Sequence, residues 1–381
     1  MTEQRTQHHC DPTKKHDFLI VFDVTDGNPN GDPDAGNLPR TDPETMEGLV
    51  TDVALKRKIR NFVGIAAEDQ AEPGRFKIFV EHHGVLNDQI RRAYVAQGMD
   101  VGRKVEKPVT DAKVIENLRV IKEALPPAFA FTDVPENSDE LPSLAYSGEY
   151  SETEFKEQLD GLGDTVIAKT KTLLSSLKKD SGKPDKNRDN VEKARRWMCE
   201  NFYDIRMFGA VMSTGLNAGQ VRGPLQLTFS RSVDPIIPQD LAITRMAVTD
   251  ERDRDKLQTI GRKTLIPYGL YVGKGFFSPH LAKQTGVTLE DLSLFWDSLI
   301  YMWDMDRSAS RGMMAPRGIY VFTHDNKYGN APVHELFDRV SVVLKEEKSP
   351  RKFGDYEVEA PAEGPLDEVG FPGVTLTKLL Q

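Results

Sequence analysis

FLIVFDV, residues Phe18–Val24, is the stretch from which the fold is read. Seven nearly continuous apolar residues, rich in β-branched and aromatic types, predict a short strand buried on both faces. The strand runs directly into DGNPNGDPDAGN (Asp26–Asn37), where three aspartates, three asparagines, three glycines and two prolines crowd twelve residues. Behind that loop, TDPETMEGLVTDVALKRKIRNF predicts a helix with Thr41 or Asp42 as N-cap, Pro43 in its first turn and Glu44 placed for a capping box. Leu55, Ile59 and Phe62 recur at i, i+4, i+7 as its core stripe, which turns Arg57 and Arg60 furthest towards solvent.

Further out, the pattern is irregular from about Gly64 to Glu200, with a possible short strand in RFKIFVE (Arg75–Glu81) and a Lys-rich, turn-rich helical piece. Order returns in PLQLTFSRSV (Pro224–Val233) and TLIPYGLYVGKGFFS (Thr264–Ser278), two strands separated by about thirty residues. Thr288 caps a helix whose Leu292, Phe295, Trp296, Leu299, Ile300 and Trp303 keep the 3.6 period. GIYVFTHD (Gly318–Asp325) is another buried strand, RVSVVLKEE a further one, and the acidic, Pro/Gly-rich end reads as loosely ordered. Without its insertions the order is strand, helix, strand, strand, helix, strand. That is an α+β chain of ferredoxin-like (RRM-type) plan, with a large insertion after the first helix and an extended hairpin between the second and third strands.

The 381 residues allow two or three domains, or one elaborated domain. Cys10 and Cys199 form neither a disulfide framework nor a C-x-x-C pattern, which fits a reducing compartment. No apolar run of membrane-spanning length and no signal-like segment occurs, so the expectation is a soluble, cytoplasmic protein without a membrane partner. The net charge of −9 argues against a nucleic-acid partner only as an average. Residues 131–164 hold ten acidic residues and one lysine, Lys156, and account for that −9 by themselves. The remainder is neutral overall and carries basic clusters, among them Lys56, Arg57, Lys58 and Arg60.

The polar loop invites a calcium reading: Asp26, Asn28, Asn30, Gly31, Asp32 and Asp34 fall on EF-hand positions 1, 3, 5, 6, 7 and 9. Position 12 is Asn37 instead of a bidentate glutamate, two prolines intrude, and a strand leads in. A stiff turn-rich loop suits these residues better, and it offers N–H groups to a phosphodiester backbone. G-x-S-x-G, H-E-x-x-H and Walker signatures are missing, as is G-x-G-x-x-G after a strand, and the histidines are isolated or adjacent, so no catalytic residue, metal ligand or cofactor is assigned. GQVRGP (Gly219–Pro224) and SASRGMMAPRG (Ser308–Gly318) each set Arg among glycines just before a strand, where backbone and guanidinium can approach phosphate. With KRKIR they are expected to converge on one edge of the sheet as a single-strand track. ITRMAV (Ile243–Val248) would carry Arg245 and Met246 on a projecting arm.

VFDVTDGNPNGDPDAGNLPRTDPETMEGLVTDVALKRKIRNF resembles the Csd/Csh-type backbone subunits of type I CRISPR surveillance (Cascade) complexes, nearest the type I-C form, of the RAMP/RRM-like kind. RMFGAVMSTG, VRGPLQLTFSRSVDPI and MDRSASRGMMAPRGIYVFTHD match in the same order, from about Asp17 to Leu344. The resemblance implies a ferredoxin-like palm with helical fingers and a β-hairpin thumb. Its parts would be a flexible N-terminus 1–16, palm 17–65, fingers 66–200, palm 201–233, thumb 234–262, palm 263–345 and a C-terminal extension 346–381. It implies a non-enzymatic crRNA holder that polymerises with copies of itself along the guide, kinks it at intervals and presents it to target DNA. Other Cascade subunits (guide-end-binding, large and small) would be its partners. It assigns RNA contacts to Asn28, Asn30 and Arg40, to Lys56, Arg57, Lys58 and Arg60, to Gln220, Arg222 and Arg231, to Arg245 and Met246, and to Lys274, Arg311 and Arg317. A rival of another class is a metal-dependent target-RNA endonuclease of the type III backbone kind, using Asp26, Asp32 or Asp34. A guide holder should read phosphate, sugar and shape and leave sequence to base pairing.

Overall fold

The computed structural model describes residues 8–99, 101–135, 140–182, 187–213, 216–245, 247 and 259–380, with Arg245, Thr259 and Ile260 described by backbone only. The chain divides into two compact units: residues 1–81, 201–209 and 222–381 form the first, and 82–200 with 210–221 the second. Of the stretch expected as the insertion, 66–200, residues 82–200 fall in the second unit. Residues 66–81 stay with the first unit because Phe76 enters its core 6.1 Å from the Tyr203 ring, and Phe79 N–H is held by buried Asp204.

The first unit is built on strands β1 (Lys15–Gly27) and β2 (Glu47–Val50), helix α1 (Asp52–Ala66), helix α2 (Tyr203–Phe208), then β3 (Leu225–Leu227), β4 (Ser230–Pro235), β5 (Gln239–Arg245) and β6 (Thr259–Phe277). Helices α3 (Pro279–Thr285) and α4 (Leu289–Met305) follow, then β7 (Met313–His324), α5 (Val333–Phe337), β8 (Ser341–Leu344), β9 (Tyr356–Glu359), β10 (Gly364–Pro365) and β11 (Val374–Leu380). Nine strands make one antiparallel sheet in the order β10-β11-β7-β1-β6-β4-β2, with β3 and β5 also paired to β6. The four central strands thus lie as last, first, third, second in chain order. β1 is flanked on both sides over its whole length, from His16↔Phe277 to Gly27↔Ile266 on one side and from Lys15↔His324 to Thr25↔Met313 on the other.

Alternation along β1 sorts its side chains to two cores. Phe18, Ile20, Phe22 and Val24 face α1 and α4, where Phe18 lies 5.1 Å from the Trp296 ring and Phe22 stacks 4.8 Å from Trp303. Leu19 and Val21, with Tyr268, Leu270, Tyr320 and Phe322, face a second layer of Leu336, Phe337, Tyr356, Leu366 and Phe371. The chain end is therefore not loose: it closes this face of the sheet and adds β11 beside β7. Residues 8–16 are likewise packed, with Cys10 and His16 buried and the Trp296 indole donating to His9 O at 2.9 Å. The expected flexible start lies otherwise in residues outside those described.

The first helix starts ten residues later than expected. Asp42, Pro43 and Glu44 form a tight turn, in which Asp42 Oδ1 accepts from Glu44 N–H at 3.1 Å. Residues 47–50 then pair with β4, and Thr51 is the true N-cap, accepting from Ala54 N–H at 3.3 Å. Thr288 caps α4 with a reciprocal Asp291 box, as its spacing predicts. RFKIFVE forms a 3₁₀ turn and loop instead of a strand, and Pro224–Val233 divides into β3 and β4.

The second unit holds a three-stranded antiparallel sheet with Ser143–Tyr146 between Val105–Pro108 and Phe129–Thr132, and helices over Leu86–Ala96, Ala112–Ile121, Glu152–Gly161 and Ala168–Ser181. Leu118, Leu144, Tyr146, Leu174 and Leu177 centre its core. Part of the acidic segment has a local structural use, because Ser151 and Glu154 form a capping box and Glu152 and Glu154 occupy a helix N-terminal turn. No described helix is long and apolar enough to cross a membrane.

Candidate functional site

The polar loop is folded on itself and welded to the segment before β7. Asn28 is buried: its N–H donates to Ser310 O at 2.8 Å, and its amide donates to Asn37 O at 2.7 Å and to Thr264 Oγ1 at 3.2 Å. Asn30 Oδ1 accepts from Thr51 N–H at 2.9 Å, tying the loop to the start of α1. The Arg311 guanidinium donates to Pro29 O. Gly27 permits this join, since a Cβ there would overlap the Arg311 carbonyl. Asn28 and the Oδ1 of Asn30 thus shape the loop, and the Asn28 amide is withdrawn from solvent. Nor do they converge as calcium ligands. Asp32 accepts from Asp34 N–H at 3.2 Å and lies 3.4 Å from Arg40, and no group of three or more His, Cys, Asp or Glu able to hold a metal occurs among the described residues.

The KRKIR face is not a free basic stripe. Lys58 falls in the buried stripe with Leu55, Ile59 and Phe62, because it sits three residues from Leu55 and one short of Ile59. Its ammonium donates to Asp306 O at 2.8 Å and to Asp306 Oδ2 at 3.2 Å, a cation placed on the C-terminal end of α4. Arg60, expected to point outward, donates through Nε to buried Asp204 at 2.8 Å. Lys56 pairs with Asp52 at 2.8 Å, and Arg57 donates to Val80 O at 3.0 Å. Burial lowers the proton affinity of both Lys58 and Arg311, while Asp306 acts on each in the opposite sense. Asp306 is thus the carboxylate that Lys58 contacts, Asn61 also engages it at 3.1 Å, and it acts on Arg311 only through its field.

The expected convergence of all basic segments fails. Arg40 and Arg311 lie with the loop, and Arg231 stands exposed beside β2, paired with Asp42 at 2.9 Å and Glu47 at 3.0 Å. Arg222 and Lys274 belong to the other end of the sheet, since β3 pairs Leu225 with Phe277 while the loop touches Thr264. The ends are eleven β1 residues apart, about 36 Å at ~3.3 Å per residue. Arg317 lies half-exposed against the second layer, its Nε 2.9 Å from buried Asp23 and its guanidinium over the Phe353 ring. Gln220 is exposed on the second unit. Met246 lies outside the described residues, and the side chain of Arg245 with it. Sequence reasoning missed Arg262 and Lys263, carried by β6 just before Thr264, and exposed Arg307. The signal was present in GRKT (Gly261–Thr264), another Gly-then-cation segment entering a strand.

The family model "CRISPR-associated protein Cas7" matches residues 14–125 and 150–361. This chain belongs to the Cas7 family. A Cas7 protein of Haloferax volcanii is 42% identical over 67 residues, which make up 18% of this chain and 17% of that relative. Two solved chains are also similar to this member of the Cas7 family, at low identity. One, of a "CRISPR RNA-guided surveillance complex, pre-nicking", has a TM-score of 0.43 and 13% identity over 81% of this chain and 78% of its own. The other, of a "CRISPR RNA-guided surveillance complex", has a TM-score of 0.31 and 10% identity over 81% and 75%.

Proposed function

We propose that this chain is the crRNA-binding backbone subunit of a CRISPR surveillance complex of type I-C, polymerising along the guide and presenting it to target DNA in the cytoplasm. In this reading the central four strands with α1 and α4 are a ferredoxin-like palm, the β5–β6 hairpin is the thumb, and the second unit supplies the fingers. The observation that carries the site is the joint of the polar loop and residues 308–312, where Arg311 donates to Pro29 O, beside the Lys58–Asp306 pair. A rigid loop flanked by Arg40 and Arg307 suits a phosphodiester backbone of any sequence. Half-buried Arg40 and exposed Arg307 and Arg262 stand around that end, with Arg231 further along the sheet, each paired to a carboxylate that a phosphate would displace; Asn28, Asn30, Lys58 and Arg60 set its shape. Copies of the chain and the guide-end-binding, large and small subunits are the proposed protein partners.

Purifying the protein from cells that carry its CRISPR array and sequencing the bound nucleic acid tests this. A discrete RNA of guide length, with many spacers represented alike, is the expected result. Heterogeneous RNA, or none, would overturn it. Spaced Mg²⁺-dependent cuts in complementary RNA that vanish in Asp32→Ala would replace it with the endonuclease reading.

A further inference from the structure

The end of the sheet remote from the polar loop carries a cavity of about 510 Å³, a size at which nucleotide-scale ligands are held. Arg222, Lys327, Tyr328, His280 and Phe276 line it, together with the Lys15–Asp17 pair. Lys15 is neutralised by Asp17, whose Oδ2 also accepts from His324 Nε2 at 2.9 Å. The other two cations differ. Arg222 is exposed, and neither it nor Lys327 has a carboxylate partner among the described residues; Lys327 lies 5.2 Å over the Tyr328 ring.

The loop that carries Lys327 and Tyr328 is fastened from several sides. Asn330 N–H donates to His324 Nδ1 at 2.9 Å, which leaves the imidazole proton on Nε2 facing Asp17. Asn330 Oδ1 accepts from Asn326 N–H at 2.8 Å, and Asn326 Oδ1 accepts from Tyr328 N–H at 3.0 Å. On this fixed backbone Tyr328 is nevertheless 73% exposed, with the His280 ring 5.1 Å away. An exposed ring on a fastened loop, beside cations without a carboxylate partner, is an arrangement that stacks a base and holds its phosphate.

We propose that this cavity is a second nucleotide site, which takes a phosphorylated nucleotide unit of a single-stranded nucleic acid, its base on Tyr328 and its phosphate on Arg222 and Lys327. It lies about 36 Å along the sheet from the polar loop, so it serves a strand segment other than the one the loop end holds.

The test uses the full chain as it purifies and a fluorescent 12-mer carrying 4-thiouridine, read by anisotropy and by photo-crosslinking with peptide mapping. Crosslinks are expected in residues 325–330. Tyr328→Ala should remove them and weaken binding about tenfold. Arg222→Ala with Lys327→Ala should weaken binding comparably and reduce the log–log salt slope by about 1.4, the contribution of two phosphate contacts. Displacement of the 12-mer by millimolar UMP would identify a free nucleotide as the source; resistance to UMP would identify the strand. Unchanged affinity in both variants, with melting temperatures equal to the parent, would overturn the proposal. Altered self-association with unaltered 12-mer binding would overturn it too, and would make the cavity a protein contact. Guide retention through the loop end is scored separately on the co-purified RNA, so the two readings fail independently.

Discussion

His16 shows how a polar residue can serve the core. It is fully buried at the start of β1, its Nε2 donating to Asp11 O at 2.8 Å and its Nδ1 accepting from Thr323 Oγ1 at 3.0 Å. Burial pushes its pKa down to about 4, and that of His9 to about 4 as well. Between those values and the unfolded 6.5, the unfolded chain binds protons that the folded chain refuses, so stability is full above pH 6.5 and falls as pH drops towards 4. The loss is of the order of 3 kcal/mol for His16. Melting curves from pH 7.5 to 4 should show it. His16→Gln should melt lower at pH 7.5 and decline less steeply; a decline as steep as the parent's would place the titration elsewhere. Arg40→Ala with Arg231→Ala should weaken guide binding alike for unrelated spacers and reduce the salt slope by about 1.4. Spacer-dependent losses would count against backbone recognition. Charge type was legible in the sequence, but charge availability was not. A helical period places Lys58 on a face, yet only the position of Asp306 on another element shows that its ammonium has somewhere buried to go.

Among the elements, those with strong internal periodicity were readable: β1, α4 with its Thr288 cap, β6 and β7 all cover the stretches their patterns mark, although β1 runs over Lys15–Gly27 and β6 and β7 start five residues earlier than expected. The misplaced start of α1 has a different cause. Thr41, Asp42 and Pro43 carry the chemistry of a cap and of a turn equally, and the choice is made by β4, whose pairing draws residues 47–50 into the sheet. Gly48 belongs to that choice, because a Cβ there would collide with Tyr271 and Ile236. The real cap, Thr51, gives a modest expected effect: Thr51→Ala should cost about 1 kcal/mol in chemical denaturation. Gly27→Ala should do more, since the added methyl runs into the Arg311 backbone where loop and segment join. A loss of more than about 2 kcal/mol is expected, with guide binding weakened beyond what the lost stability explains. Full guide binding in a stable Gly27→Ala protein would show that the weld does not set the groove.

At the scale of the molecule, the decisive feature is the second layer. An open four-stranded sheet of this order offers one face to helices and the other to bases, and in this chain that other face is filled. Tyr268, Leu270, Tyr320 and Phe322 meet Tyr356, Leu366 and Phe371 from the chain end, and β11 pairs with β7. An acidic, Pro/Gly-rich tail gave little sign of this, because its apolar residues are spaced by turns and carry no period of their own. On the proposed reading, nucleic acid would then be left with the ends of the sheet and the β5–β6 hairpin. Deleting residues 346–381 tests the layer directly. The deletion uncovers the sheet face and strips several large side chains worth about 1.5–3 kcal/mol each, a sum comparable to the whole stability of a domain. The truncated chain should therefore be insoluble, or bind a hydrophobic dye with its near-ultraviolet circular dichroism lost. A soluble truncation with native near-ultraviolet dichroism would mean that the layer is a removable lid. In that case the uncovered Tyr268 and Tyr320 should crosslink to RNA where the full-length chain does not.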